Sequence, residues 1–162
     1  MKEIIQILKY KLVSLNLFLV IVFAFAMFYL EYFAPVFFIL TSNLYDILGY
    51  HFSLIRRTKV MPEKIIIRSY RINQIMFDIT LLILLAVVFS PVAAFAGAVL
   101  KLFGVQDVLY YIFLRMEFPE KWTWLKWTPL GIINKSLSLK IVILQSVVGI
   151  IFSLILLMNF QK

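Results

Sequence analysis

Long apolar runs separated by short polar clusters set the pattern of this chain. Residues 12–30 are apolar apart from Ser14 and Asn16. A helix needs about 20 such residues to cross a bilayer, so this run predicts a first membrane helix. Lys2, Lys9 and Lys11 precede it. A cleaved leader is the competing reading, with Ala24-Phe25-Ala26 as its cleavage site. Apolar sequence continues past Ala26 with no polar start, which favours the membrane helix.

Glu31-Tyr32-Phe33-Ala34-Pro35 breaks the run, and proline suits the first turn of a new helix. A second span is expected over 35–54, less apolar at its far end, where Asn43, Asp46 and His51 stand. A third runs from about 72 to 89. Ser90-Pro91 joins an N-cap residue to a proline at the first helical position. A tight turn and a fourth helix from Pro91 follow from it, with a kink in one longer helix as the alternative.

That fourth helix carries Lys101, Gly104, Gln106 and Asp107 in its middle or second half. It is either one bent span over 91–118, or a helix ending at Phe103 and a second one capped by Asp107. Residues 119–131, PEKWTWLKWTPLG, combine three tryptophans with two prolines and mark a loop at the membrane–water boundary. A last span is expected over 137–158.

The fold class that results is all-α: one integral membrane domain over 1–162, a polytopic helix bundle with five transmembrane helices. The number is four if Ser90-Pro91 is only a kink. Composition agrees, with 64% hydrophobic and 15% charged residues. A water-soluble domain usually has about 45–50% and about 25%.

Charge sets the expected sidedness. Residues 56–71 hold Arg56, Arg57, Lys59, Lys64, Arg68 and Arg71 against Glu63 alone. Positive loops stay inside, so this segment and the Lys-rich N-terminus are expected on the cytoplasmic side of the cell membrane. Counting Arg115, Lys121, Lys126, Lys135 and Lys140 places 115–140 there too. Ile65-Ile66-Ile67 amid the cations suggests an interfacial amphipathic turn. The net charge of +8 points to anionic membrane lipids rather than nucleic acid, because the cations flank apolar spans. Small-residue spacings at Ala93/Gly97 and Gly149/Ser153 allow close helix contact, within the bundle, in a homo-oligomer or against a membrane protein partner.

Polar groups at membrane depth carry the candidate chemistry, since their burial is costly. Asn43, Asp46, Tyr50, Ser53 and Arg57 recur at helical spacing and form one stripe. One reading makes it a packing stripe of interhelical hydrogen bonds. The other makes Asp46 a general base or cation ligand in a cytoplasm-facing cleft. Asp107, Tyr111 and Arg115 form a second ladder, either a local acid–arginine pair or part of the same cleft. Asp46 and Asp107 are then the catalytic candidates. Asn43, Tyr50, Arg57, Tyr111 and Arg115 are the substrate-binding ones. Trp122, Trp124 and Trp127 either anchor the loop among headgroups or bind an amine head by cation–π contact.

Asp78, with Arg71 and Gln74 on its face, is expected to be a helix-start acid paired with the basic loop. His51 is the only histidine and lies about 140° around the helix from Asp46, so it suits an interfacial role. Cysteine is absent, which removes thiolate nucleophiles and Cys-ligated metals. Asp46, Asp107 and Glu117 have no recognised Mg²⁺-binding spacing, and no metal or cofactor is implied. Two functions remain: a non-enzymatic membrane component or accessory subunit, and an enzyme or carrier acting on a lipid or lipophilic substrate. They differ on one point. The second needs Asp46 and Asp107 to face a shared cavity, and the first expects them capped apart.

Overall fold

A computed structural model of the chain describes residues 5–7, 9–54 and 63–160. Residues 56–62 of the expected basic loop, Arg57 among them, lie outside the described residues. The chain is mostly helical. Helix α1 spans Val13–Tyr29, a short 3-10 turn covers Glu31–Phe33, and α2 spans Ala34–Asp46 before widening into a π-helical stretch over Ile47–Leu54. Helix α3 is Glu63–Val88, α4 Pro91–Leu102 and α5 Val105–Leu114. Two-residue strands β1 (Lys121–Trp122) and β2 (Leu137–Ser138) flank the short helix α6 (Pro129–Asn134), and α7 closes the chain over Leu139–Phe160.

Among the described residues three segments are long and apolar enough to cross a membrane: Glu31–His51, Ile65–Val88 and Leu139–Asn159. The pair α4 and α5 is bent by 66° and makes a fourth if it counts as one span. Helix α1 is apolar but has 17 residues. That is about 25 Å of rise, short of the roughly 30 Å hydrocarbon layer.

Local chemistry explains the breaks. Ser90 is extended and its Oγ accepts from the amides of Val92 (3.1 Å) and Ala93 (3.3 Å), so the chain turns there and α4 starts afresh. The next break falls at Gly104, whose φ of 78° is left-handed and strains any residue with a Cβ. The second helix of the bent pair therefore starts at Val105 after Gly104, not at an Asp107 cap. Helix α3 begins at Glu63 rather than near residue 72. The isoleucine triplet 65–67 and Arg68 and Arg71 thus belong to a helix, not to a separate interfacial turn.

The expected loop over 119–131 is partly ordered instead. β1 pairs antiparallel with β2, with Lys121 opposite Ser138 and Trp122 opposite Leu137. Thr128 caps α6 by accepting from Gly131 N at 3.2 Å.

Backbone and side-chain contacts define the two ends of the bundle. At one end Leu12 N donates to Phe113 O (3.0 Å) and the Tyr10 and His51 rings lie 5.7 Å apart. Trp122 and Leu125 pack there with Val142 near the start of α7. At the other end Phe28 meets Phe89 edge-on at 5.3 Å, and Met27, Ala34, Leu85, Ala93 and Leu157 share one core cluster. The helices approach closely where residues are small. A Cβ on Gly97 would lie 3.1 Å from Phe38, and one on Gly149 would lie 2.4 Å from Phe103. Ser153 Oγ donates to Ala96 O at 2.9 Å across the α4–α7 contact.

Candidate functional site

Helices α2 and α3 run antiparallel, so residues pair in rungs. Ser42 and Asp46 are one turn apart on α2, and Tyr70, Gln74 and Asp78 follow at the same spacing on α3. One rung joins Ser42 Oγ to Asp78 Oδ1 at 2.8 Å. The next joins Asp46 to Tyr70, whose hydroxyl donates to Oδ1 at 2.5 Å, and to Gln74, whose amide reaches both carboxylate oxygens at 2.8 Å.

The bent pair adds a third member to each rung. Lys101, in the last turn of α4, forms an ion pair with Asp78, and Gln106, in the first turn of α5, donates to Asp46 Oδ2. In a straight helix residues five apart point about 140° away from each other. The break at Gly104 is what turns both toward α2 and α3. Asp78 is therefore not a helix-start acid serving the basic loop. It lies well inside α3, and its partner is a lysine from another helix.

A carboxylate has about four lone-pair positions. The contacts from Tyr70, Gln74 and Gln106 occupy those of Asp46. Proton abstraction by Asp46 would have to displace one of these donors, so its arrangement suits holding three helices together and setting the local charge. Asp107 is bound more lightly. Its Oδ1 accepts from Trp124 Nε1 at 2.9 Å.

Both acids line one cavity of about 890 Å³. That is within the range of small-molecule sites, about 300–1,000 Å³. Its polar sector holds Asp46, Asp78, Lys101, Gln74, Gln106, Asp107 and Arg71, with Tyr50, Tyr70, Tyr110, Tyr111, Trp124 and Trp127 around them. Its other sector is apolar, from Phe38 and Leu82 to Phe95, Val99 and Phe152. The rungs order these sectors along the bundle axis: polar toward the end that carries Tyr10 and His51, apolar toward the end that carries Phe89. Four rim residues, Ile75, Phe95, Leu102 and Phe152, are at least 40% exposed. The apolar sector thus opens sideways between helices.

Of the residues the sequence singled out, Asp46, Tyr50, Asp107, Tyr111, Trp124 and Trp127 meet at this cavity. Asn43, Trp122 and Arg115 do not line it. Asn43 is fully buried, with no hydrogen-bond partner for its amide among the described residues. Three residues is about 60° short of a full helical turn, enough to carry Asn43 from the cavity into the packed interior. Trp122 is also fully buried, in the cluster with Leu125, Leu137 and Val142. Arg115 is exposed and left-handed (φ 48°) at the end of α5, so the ladder from Asp107 stops at Tyr111.

His51 faces Tyr110, whose hydroxyl is 3.3 Å from Nδ1, rather than Asp46. Among the members that spacing alone did not assign to the cleft are Tyr70, Gln74, Asp78, Lys101 and Gln106. Their signal was polarity at membrane depth. Among the described residues no group of three or more His, Asp or Glu side chains is placed to hold a metal ion. No known protein family, curated protein or solved structure matches the chain.

Proposed function

We propose that this chain is a membrane-embedded binding protein or carrier for an amphiphile, whose head sits among the polar rungs and whose tail lies along the apolar sector. One observation carries this reading: Asp46 and Asp107, from separate helices, line the same cavity, and that cavity continues into an apolar sector with an exposed rim. Capped acids lying apart would have spoken for a purely structural role. An amphiphile fits because a lateral apolar mouth admits a chain from the bilayer while the polar end meets a head.

The same reading includes five crossings. Helix α1, though short, begins beside Phe113 and ends near the Phe28–Phe89 contact, which supports a full traverse. The bent pair α4–α5 supplies the fourth crossing and α7 the fifth. The start of α1, the π-helical end of α2 and the tryptophan loop lie at one end, which supports a common cytoplasmic side for the N-terminus, segment 56–71 and residues 115–140. Their cations attract anionic lipids to that side.

A second reading, a non-enzymatic accessory component, draws on the saturated carboxylate of Asp46, which bolts α2, α3 and α5 together. One experiment separates the two. The protein is purified in a mild non-ionic detergent, and retained lipid is measured by native mass spectrometry for the natural chain and for Ala98→Phe. Ala98 lines the cavity, so the added ring fills it. Bound lipid in the natural protein and at least a severalfold loss in the variant, with unchanged helicity, is the expected result. Equal retention in both, or none in either, sinks the binding role and leaves the accessory one.

A further inference from the structure

Among the described residues, the head-binding sector carries more acid than base. Three carboxylates, Asp46, Asp78 and Asp107, line the cavity with two cations, Arg71 and Lys101. Lys101 is taken by Asp78. Among the described residues neither Asp46 nor Asp107 has a lysine or arginine within ion-pair distance, and Arg71 has no acid. Charge left unpaired at membrane depth is costly, so such groups find a counter-ion, a proton or water.

The two acids are not equivalent. Asp46 is filled with donors. Asp107 accepts from Trp124, and no other described side chain donates to it. It retains acceptor capacity beside Tyr110, Tyr111 and Trp127, which line the cavity with it. A carboxylate with a free acceptor among aromatic rings fits a protonated amine, which combines a charge-assisted hydrogen bond with cation–π contact. Arg71 is exposed and lines the same cavity from α3. An unpaired guanidinium matches a phosphate.

Building on the amphiphile-binding reading, we infer that the ligand is a zwitterionic phospholipid with a primary-amine head, its ammonium at Asp107 and its phosphate at Arg71. A quaternary amine keeps the cation–π contact but has no N–H for Asp107. A head without an amine satisfies Arg71 alone. The tail then lies toward Phe95 and Phe152.

The test uses the full chain in non-ionic detergent with short-chain phospholipids bearing ethanolamine, choline or glycerol heads, and with free phosphoethanolamine. Affinities are read by native mass spectrometry. The ethanolamine lipid is expected to bind about tenfold more tightly than the choline lipid, the size of one charge-assisted hydrogen bond. Asp107→Asn keeps an acceptor for Trp124 but removes the charge, and is expected to abolish that preference. Arg71→Gln, on an exposed position, is expected to weaken all three lipids alike and leave the preference intact.

Equal binding of ethanolamine and choline lipids, or an unchanged preference in Asp107→Asn, overturns the inference while amphiphile binding stands. Free phosphoethanolamine binding as tightly as its lipid also overturns it, since the occupant would then be a soluble head. Binding of no lipid at all removes the amphiphile reading itself.

Discussion

Lys101→Met is expected to lower the unfolding free energy of the purified protein by about 3–5 kcal/mol, the usual cost of orphaning one member of a buried ion pair. Its side chain is 17% exposed and that of Asp78 is 11% exposed, so water reaches neither freely. Methionine keeps most of the length and apolar stem of lysine, so little of the loss comes from packing. What remains is a carboxylate on α3 that, among the described residues, has Ser42 Oγ alone to satisfy it. The double change Lys101→Met with Asp78→Leu is expected to recover most of the loss, because removing both charges also removes their desolvation cost. Unfolding titrations in mixed micelles measure both. A single variant within about 1 kcal/mol of the natural protein would show that the pair is solvated through the cavity and contributes like a surface pair.

The second large effect lies far from the rungs. Gly131→Ala is expected to cost about 3 kcal/mol, at the upper end for overpacking. A Cβ built there stands 1.8 Å from Leu125 O and 2.8 Å from Leu125 C. Both are backbone atoms, so no rotamer change relieves the clash. The backbone must move, and with it the Thr128 cap, which bonds Gly131 N and Leu125 O. Thermal unfolding followed by tryptophan fluorescence should show a lowered midpoint. Gly97→Ala is the control. Its nearest atom, Phe38 Cδ1 at 3.1 Å, belongs to a side chain that can shift, so its cost should be smaller. Equal effects of the two changes would show that the Leu125 backbone is free to yield.

The three long apolar helices were legible in the sequence because hydrocarbon demands unbroken apolar runs, and such runs stand out without knowledge of neighbours. The turn at Ser90-Pro91 was legible for a different reason: its cap chemistry is local. The rungs were not. That Asp46 faces Gln74, and Asp78 faces Lys101, depends on how α2, α3 and α4 slide past one another. No spacing within one helix encodes that register.

The stripe drawn from Asn43 to Arg57 shows a second limit. It assumed a single helical period, but the helix widens from Ile47 onward and Asn43 already leaves the cavity face. The tryptophan loop shows a third. Its three tryptophans signalled an interface as a group, yet Trp122 is core while Trp124 and Trp127 line the cavity. Their difference comes from a two-residue strand pair whose partner lies beyond the intervening helix.

One side chain of α7 links two places that are distant in sequence. Gln145 donates through Nε2 to Phe103 O (3.2 Å) at the bend and accepts through Oε1 from Leu130 N (3.0 Å) in the first turn of α6. Each contact satisfies a backbone group that a helix end leaves over. Straightening of the 66° bend would withdraw Phe103 O and drag the carboxamide away from Leu130. Flexing of the broken helix and displacement of the short helix behind the tryptophans are therefore geared to one coordinate, and Trp127, two residues before Pro129, acts as its natural reporter.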